Sequence, residues 1–352
     1  MSGVTGSTRL GYRPGLDGVR ALAVVAVMVV HTGIKGTGGG GFGVDMFFAL
    51  SGFLITSLLV EEFAGRDRVS FGNFYARRAL RLLPALFLVV AVFGTIAHFT
   101  AGYEARRTVA GILPALFYVI NWFSIWHYFG GLHHTWSLAI EEQFYLLWPP
   151  ILVFMLRKRL PARTLAWIVF AAAMVMFASR LTGRAMGLSE AALYNALPFR
   201  LDALLLGATA ALTPGLLKRY SSLNWGIVGF LIAGGTIIFP LVRLRSAVGS
   251  TVVAAATCLI IAHIMYGPAT SFINRFLDLK PLVWTGRRSY GLYLWHWPIF
   301  LFMHVEQHLS RAPLAFVVSF VVAAASAKFV EFPFLRLKKR FGRTDVPAAV
   351  PL

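Results

Sequence analysis

Arg20 and His31, both in the first apolar segment of the chain, are suited to acid–base chemistry beside a charged ligand. The ten residues from Ala21 to Val30 separate them. In a helix this spacing makes about three turns, so the two side chains share a face and lie about 16 Å apart. Histidine titrates near neutrality and can act as a general base. A histidine near the end of an apolar helix is also commonly a hydrogen-bonded interface residue, and the spacing alone leaves both interpretations open.

A glycine-rich loop and an acidic residue follow His31. The loop covers residues 36–43, and it either connects two helices flexibly or lets the backbone approach a ligand closely. Asp45 lies at the start of the next apolar segment. A carboxylate there can hold the His31 ring in one tautomer, as in nucleophile–base systems. The dipole at a helix N-terminus favours a carboxylate equally well, so the role of Asp45 stays open.

Arginines cluster where the third apolar segment begins. Arg77, Arg78 and Arg81 precede Pro84. Arg78 and Arg81 are three residues apart and are therefore neighbours on one helical face. Such a cluster marks the cytoplasmic end of a membrane segment, and the guanidinium fork also matches phosphate oxygens in a bidentate way. We therefore predict a topology signal that is also a clamp for a phosphate-bearing ligand.

Two adjacent carboxylates lie near the start of another apolar segment. Glu141 and Glu142 belong to the run from Trp136 to Tyr145. In a helix that begins at Trp136 they lie about 8 Å below its start. Ionisable side chains at such a depth are costly and mark functional sites. We expect at least one of the two to face the interior of the helical bundle and to have a partner there.

Arg200, Asp202 and His296 are further polar residues in apolar surroundings. Arg200 and Asp202 are two residues apart, so they point to different sides of a helix and each needs a partner elsewhere. His296 belongs to an aromatic run that begins at Ser289. The arginines at positions 20, 78 and 81 thus gather at one end of the predicted helices, and histidines and carboxylates gather toward the other. This division fits an anionic donor at the inner end and acid–base chemistry nearer the outer end.

The elements that must position these side chains are membrane-spanning helices. The chain is 58% hydrophobic and only 13% charged, whereas a soluble domain averages about 25% charged residues. Its mean hydropathy is +0.71, and long apolar segments recur from end to end. We predict an all-α integral membrane protein with no soluble domain attached.

The charge and cysteine content exclude several other classes. The formal net charge of +19 lies mostly in short loops between apolar segments, where the positive-inside rule expects basic residues. The charge therefore does not indicate nucleic-acid binding. Cys258 is the only cysteine, so an intrachain disulfide is impossible and a cysteine metal site is not expected. We expect no metal.

Apolar stretches of roughly 20 residues predict about ten transmembrane helices. The predicted spans are 16–34, 44–62, 79–99, 136–156, 164–181, 193–213, 224–242, 248–266, 282–303 and 313–333. A further stretch, 109–125, contains Pro114 and Asn121. If it does not cross the membrane, most arginines and lysines face the cytoplasm, as the positive-inside rule requires. We therefore predict that 109–125 is re-entrant or interfacial and that both termini are cytoplasmic, in a multi-pass protein of the bacterial cytoplasmic membrane.

The predicted spans divide the chain into three parts. Residues 1–15 are a polar tail, and the first span is retained, not cleaved as a signal peptide. Residues 16–333 form the transmembrane domain, and residues 334–352 form a basic cytoplasmic tail.

The motifs, taken together and in order along essentially the whole chain, resemble acyltransferase family 3. This family contains membrane-bound O-acyltransferases of bacterial polysaccharides, glycolipids and macrolides. The matching motifs are Leu16-Asp17-Gly18-Val19-Arg20 with His31, the run Gly43 to Leu54, Arg78-x-x-Arg81, the run Trp136 to Tyr145, the run Ser289 to Pro298, and Glu331-Phe332-Pro333. Many members carry a C-terminal hydrolase-like domain. The chain ends shortly after its last predicted span, so we expect the stand-alone form.

The resemblance implies transfer of an acyl group, acetyl or another short chain, from cytoplasmic acyl-CoA to a hydroxyl of a sugar, glycolipid or macrolide-type acceptor. It implies that His31 is the catalytic histidine, paired with Arg20, and that Arg78 and Arg81 belong to the donor-binding motif. The full assignment is catalysis by His31, Asp45, Glu141 and Glu142; donor binding by Arg20, Arg77, Arg78, Arg81, Ser51 and Tyr290; and acceptor binding by Trp136, Arg200, Asp202 and His296.

Two other classes of protein use similar residues. A secondary transporter or flippase for an anionic or lipid-linked sugar also places Arg, Glu and His inside the membrane. It predicts inverted halves and broken helices, which the sequence does not show. A structural or regulatory membrane protein would not need His31.

Overall fold

The computed structural model describes residues 10–34, 36, 41–238, 248–337 and 341, and this part of the chain is helical with connecting turns. The helices are α1 (Pro14–Val30), α2 (Gly43–Arg66), α3 (Phe71–Phe99), α4 (Tyr103–Ala110), α5 (Ile112–Leu116), α6 (Ile120–Phe123), α7 (Trp136–Arg157), α8 (Ala162–Ala185), α9 (Glu190–Asn195), α10 (Leu201–Leu212), α11 (Pro214–Arg219), α12 (Leu223–Ile238), α13 (Gly249–Tyr266), α14 (Phe272–Leu277), α15 (Lys280–Arg287), α16 (Ser289–Phe302), α17 (Ala312–Ser326) and α18 (Phe332–Leu337). Short 3-10 segments cover Gly130–Thr135, Leu197–Phe199 and Leu309–Arg311, and a π-helical turn covers Ala327–Glu331.

Six helical stretches of the described residues are long and apolar enough, by length and composition, to cross a membrane. They are Gly43–Arg66, Phe71–Phe99, Gly130–Arg157, Ala162–Ala185, Gly249–Tyr266 and Leu309–Leu337. Helices α10 and α12 are shorter apolar helices. The prediction of an all-α integral membrane protein is confirmed, whereas the predicted count of about ten spans is not established.

Two of the predicted spans are interrupted. Segment 193–213 is divided among α9, the 3-10 turn and α10, because Pro198 cannot donate a backbone hydrogen bond and its ring clashes with the preceding helical turn. Segment 282–303 is divided between α15 and α16 at Arg288, just after Gly286 packs against α1. Helix-length apolar runs thus contain breaks that hydropathy alone does not reveal.

Parts of several predictions fall outside the described residues. These parts are positions 1–9 of the N-terminal tail, 37–40 of the glycine-rich loop, 239–242 of the seventh predicted span, and 338–340 and 342–352 of the C-terminal tail. The division into two tails and one transmembrane domain stays a prediction.

The segment 109–125 does not form a continuous helix. It passes from the end of α4 through α5 and α6, and Tyr118, two residues after the end of α5, has a left-handed backbone (φ 52°). The Gln143 side chain of α7 donates hydrogen bonds to the Tyr118 carbonyl (2.7 Å) and to Asn121 Oδ1 (2.9 Å). The Asn121 amide donates in turn to the Asn195 carbonyl (3.2 Å). The segment is fastened to α7 as short turns, and its re-entrant or interfacial position stays a prediction.

Helices α2 and α10 approach each other through glycine. A side chain added at Gly52 would overlap the Leu204 carbonyl of α10, and one added at Gly207 would overlap the Ala49 carbonyl of α2. Small residues at helix crossings allow this close backbone contact in membranes. The contact fixes the position of α2, which carries Asp45.

Helix α1 is held in a similar way at its first turns. A side chain at Gly18 would overlap the Leu277 carbonyl of α14, and one at Gly286 of α15 would overlap the Asp17 carbonyl of α1. These contacts fix the rotation and depth of α1. Because Arg20 and His31 lie on this helix and directly after it, the same contacts set their positions relative to the surrounding helices.

Candidate active site

His31 and His296 form a hydrogen-bonded pair. His31 directly follows α1, and its Nδ1 lies 2.9 Å from Nε2 of His296 on α16. The rings are stacked, with centroids 5.1 Å apart. Nδ1 of His296 lies 3.1 Å from the Leu292 carbonyl oxygen. The pair joins the end of α1 to the middle of α16.

The hydrogen-bond network determines which nitrogens of the neutral pair carry hydrogen. A carbonyl oxygen only accepts, so His296 donates from Nδ1 to Leu292 and offers its Nε2 lone pair. His31 must then donate from Nδ1 to His296. This leaves Nε2 of His31 unprotonated and able to take a proton, which is the arrangement that a general base requires. His296 thereby holds His31 in one tautomer, which is one of the two roles that the sequence left open for Asp45.

His31 lines a small pocket with a largely aromatic wall. The pocket has a volume of about 150 Å³. Its lining residues are Val27, Val30, His31, Gly41, Val44, His133, His134, Trp136, Tyr194, Tyr293 and Trp297. An apolar, aromatic cavity with a few convergent polar groups is typical of a small-molecule site.

The aromatic wall is fixed by hydrogen bonds to the 3-10 segment Gly130–Thr135. The Tyr293 hydroxyl donates to the His134 carbonyl (2.8 Å) and is also hydrogen-bonded to the Ser137 hydroxyl (2.7 Å). The Trp297 indole donates to the Gly130 carbonyl (2.9 Å). These bonds fasten α16 to the segment that carries His133 and His134, so the pocket is held by two elements distant in sequence.

Three arginines converge near the other end of α1. The positive charges of Arg20 and Arg78 act on Arg81, and Arg81 has no ion pair or side-chain hydrogen bond to any residue that the structure describes. The Nε atoms of Arg20 and Arg78 are buried and also lack a hydrogen-bond partner within the described ranges. Grouping like charges is unfavourable without an anion between them. Asp17 lies 3.9 Å from Arg20 and offsets part of this charge, and the remaining positive charge suits an anionic ligand; its identity as a phosphate-bearing donor stays a prediction.

The two predicted acidic residues belong to this arginine end. Glu141 accepts a very short hydrogen bond from the Ser51 hydroxyl and another from the Tyr145 hydroxyl (3.0 Å). The guanidinium carbon of Arg78 lies 3.3 Å from the centroid of the Tyr145 ring, and Arg78 Nη2 lies 3.7 Å from Glu142 Oε1. Both carboxylates thus have partners in the bundle, but they lie with the arginines, so the prediction that they gather with the histidines toward the opposite end was wrong for this pair. Neither lines the histidine pocket.

Arg77 and Tyr290 tie α3 to other parts of the chain. Arg77 lies 3.7 Å from the buried Glu62 carboxylate and donates to the Phe341 carbonyl (2.7 Å). The Tyr290 hydroxyl donates to the Leu82 carbonyl (2.8 Å), one residue beyond Arg81. These contacts position the arginine-bearing turn of α3.

Asp45 and Arg200 form a buried ion pair behind the pocket. Arg200 Nη2 lies 2.8 Å from Asp45 Oδ1, and its Nη1 donates to the Ser250 hydroxyl (2.7 Å). The guanidinium also lies 4.9 Å from the Tyr194 ring and 5.6 Å from the Trp136 ring, both in the pocket wall. The Asp45 carboxylate faces Arg200, because a buried guanidinium needs a counter-ion.

Asp202 pairs with Arg180, a residue that sequence analysis missed. Two parallel hydrogen bonds of 2.9 Å join the guanidinium and the carboxylate, and the Thr251 hydroxyl donates to Asp202 (2.6 Å). Both charged side chains are 0% exposed. Arg180 lies inside the predicted span 164–181. That position within an apolar run was the available signal.

His133 and His134 are the other site residues that sequence analysis missed. They precede the apolar run that begins at Trp136, in a segment without helical periodicity. The presence of two adjacent histidines was the signal in the sequence that could have marked this segment as part of a site.

Comparison with known proteins agrees with this arrangement. The sequence profile of acyltransferase family 3, described as an acyltransferase domain, matches residues 13–328. The chain therefore belongs to this family, as its motifs predicted.

The relatives with curated names are longer bacterial proteins. The chain is 33% identical over 351 residues to O-acetyltransferase OatA of Staphylococcus aureus strain NCTC 8325 / PS 47, which covers 92% of this chain and 57% of the relative. It is 32% identical over 363 residues to the putative O-acetyltransferase SAS0844 of Staphylococcus aureus strain MSSA476, covering 94% of this chain and 59% of the relative. The chain thus spans somewhat more than half the length of these relatives. No solved structure matches the chain.

Proposed function

We propose that this protein transfers an acyl group, acetyl or another short chain, from cytoplasmic acyl-CoA to a hydroxyl of a sugar, glycolipid or macrolide-type acceptor. The observation that carries the proposal is the open Nε2 of His31 in the aromatic pocket, with three arginines, of which Arg81 lacks an ion pair among the described residues, near the other end of the same helix. The O-acetyltransferase names of the relatives favour acetyl. Membership of an acyltransferase family favours an enzyme over a transporter or a structural protein.

The arginine end is the proposed donor site. Arg20, Arg78 and Arg81 would bind the phosphates of CoA through charge-assisted hydrogen bonds. Glu142 and the Tyr145 ring orient Arg78. An extended CoA arm that follows α1 would bring the thioester to His31, about 16 Å along the helix.

The other predicted donor residues support this site. Ser51 and Tyr145 hold Glu141 beside Arg78, and Tyr290 and Arg77 hold α3 in place. We assign Glu141 and Glu142 to positioning of the donor clamp, because their contacts lie at the arginine end.

The histidine pocket is the proposed site of chemistry. Nε2 of His31 takes the proton of the acceptor hydroxyl as its oxygen attacks the thioester carbonyl carbon, and the new carbon–oxygen bond forms. Collapse of the tetrahedral intermediate breaks the carbon–sulfur bond. The CoA thiolate leaves and receives the proton from His31, which returns to its neutral form. Atoms and charge balance without a metal or a redox cofactor.

The pocket wall is the proposed acceptor site. Trp136 offers an aromatic surface and His296 orients His31. Arg200 and Asp202 do not line the pocket. We propose that Arg200 supports the wall from behind through its contacts with Trp136 and Tyr194, and that Asp45 and Asp202 act as counter-ions.

The proposed orientation places the arginine end and both termini at the cytoplasmic side. It predicts that reporter fusions after Leu160 and after Leu337 both report a cytoplasmic location. The expectation rests on the positive-inside distribution of charge. An extracytoplasmic signal at either position would contradict this orientation.

The direct test is acyl transfer by the purified protein in lipid vesicles. Acetyl-CoA labelled in the acetyl group is supplied with membrane extracts as the acceptor source, and label in the glycan or lipid fraction is measured. The proposal expects transfer that is lost in His31→Gln. A transporter would move sugar across the membrane without transferring label. Untargeted mass spectrometry of glycans and lipids from a deletion strain then identifies the acceptor.

A further inference from the structure

His134 is a buried pocket residue whose side-chain polar atoms are unsatisfied. Its side chain lines the His31 pocket and the residue is 3% exposed. Neither ring nitrogen makes a well-formed hydrogen bond to a residue that the structure describes, and the ring's contact with the Leu294 backbone is only a weak one. Buried polar groups are nearly always hydrogen-bonded, so an unsatisfied one calls for an explanation. A ligand in the pocket is the explanation that its location supports.

Other polar groups of the pocket already have partners. The hydroxyl of Tyr293 donates to the His134 carbonyl, and the indole of Trp297 donates to Gly130. Nδ1 of His31 is directed to His296. His134 therefore adds an N–H group without a well-formed hydrogen bond to the same pocket that the proposed base lines.

His134 lies close to the partner of the proposed base. Its ring centroid lies 5.7 Å from that of His296 and 5.4 Å from that of Tyr293. Direct acyl transfer needs a base at the attacking hydroxyl and a hydrogen-bond donor at the carbonyl oxygen, where negative charge develops. His31 supplies the first group, and a neutral histidine always carries one N–H to supply the second.

We propose that His134 donates a hydrogen bond to the thioester carbonyl oxygen and stabilises the oxyanion of the tetrahedral intermediate. The oxygen gains negative charge as the acceptor oxygen bonds to the carbonyl carbon and its proton passes to His31. When the carbon–sulfur bond breaks, the carbonyl reforms and the hydrogen bond weakens. His134 keeps its own proton throughout. This role rests on the proposed acyl transfer from acyl-CoA.

The test compares His134→Phe, which keeps a ring without a donor, with His134→Gln, which keeps N–H donors. Steady-state transfer from labelled acetyl-CoA is measured for each, together with CoA binding by calorimetry and the melting temperature in detergent. His98→Ala serves as the matched control, because His98 is an exposed histidine at the end of α3. Loss of an oxyanion donor typically lowers kcat about 10²- to 10³-fold. We expect this loss in His134→Phe with unchanged CoA binding, and recovery to within about tenfold in His134→Gln.

The outcomes separate this proposal from the proposed function. If wild type transfers acetyl and His134→Phe keeps more than about a tenth of wild-type kcat, well short of the expected loss, the oxyanion role is wrong and the acyltransferase proposal stands. Equal inactivity of His134→Phe and His134→Gln with normal CoA binding also overturns the oxyanion role. If wild type binds CoA and transfers no acetyl to any acceptor fraction, both proposals fail. If His134→Phe does not fold, the kcat of His134→Gln is compared with that of His98→Ala. A value within about tenfold supports the oxyanion role, and a larger loss overturns it.

Discussion

Two groups of polar side chains in this protein differ in how fully their hydrogen bonds are satisfied. Between α8, α10 and α13, Arg180 and Asp202 exchange two hydrogen bonds and share Thr251. Near the two ends of α1, by contrast, Arg81 of α3 has no side-chain hydrogen-bond partner and His134 of the 3-10 segment makes no well-formed one within the described part of the chain. Matched buried charges hold helices together, whereas unmatched ones reduce stability and are retained where a ligand completes them. The difference separates structural polar residues from candidate functional ones.

The largest effect is expected at His31. His31→Ala should lower kcat by about 10²- to 10⁴-fold, the usual cost of losing a general base, while the protein stays folded. His31 contributes one partner to a hydrogen-bonded pair at the end of a helix, so its loss should affect catalysis far more than packing. Transfer of labelled acetyl from acetyl-CoA measures the rate, and the detergent melting temperature checks folding.

His31→Gln sharpens the same prediction. Glutamine keeps hydrogen-bonding capacity but is not basic, so this variant should be nearly as inactive as His31→Ala. Retention of more than about a tenth of wild-type kcat would show that His31 is structural. The base would then have to be sought among His296, Glu141 and Glu142.

At Arg180 a large effect is expected on stability, not on catalysis. Arg180→Ala leaves Asp202 buried and uncompensated, and breaking a buried ion pair in this way typically costs about 3–5 kcal/mol of folding free energy. Arg184→Ala is the matched control one turn further along α8. Its side chain is 41% exposed and that of its ion-pair partner Glu190 is 64% exposed. This pair should contribute less than about 1 kcal/mol to the free energy of unfolding. Unfolding in detergent measures both; equal stability losses would contradict the assignment of Arg180 as a structural residue.

A smaller effect is expected at the arginine end. Arg78→Ala and Arg81→Ala should each remove a charge-assisted phosphate contact worth about 1.5–3 kcal/mol. The KM for acetyl-CoA should therefore rise roughly ten- to a hundred-fold. Arg106→Ala, which removes an exposed arginine of α4, should leave KM unchanged. A loss of kcat with an unchanged donor KM in the two clamp variants would argue against phosphate binding.

Much of the helical framework could be predicted from the sequence because apolar length is a strong signal. The predicted spans 44–62, 79–99, 136–156 and 164–181 lie within α2, α3, α7 and α8. The breaks at Pro198 and Arg288 were not predicted, because the apolar run continues across both and hydropathy averages over them.

The site was only partly predictable for a different reason. The grouping of arginines at one end of α1 and histidines at the other follows from helical spacing, which is local. The partners of Asp45 and Asp202 are Arg200 and Arg180, and tertiary packing alone brings them together. His134 lacks any periodic pattern, and its unsatisfied nitrogens become apparent only in the folded pocket.

The central claim is that α1 separates donor binding at the arginine end from chemistry at His31. Calorimetric binding of CoA to wild type, His31→Gln and the double variant Arg78→Ala/Arg81→Ala tests it most directly. The account predicts that His31→Gln binds CoA with the wild-type Kd, while the double variant binds at least about tenfold more weakly. Equal binding by all three proteins, or a loss of CoA binding in His31→Gln alone, would contradict it.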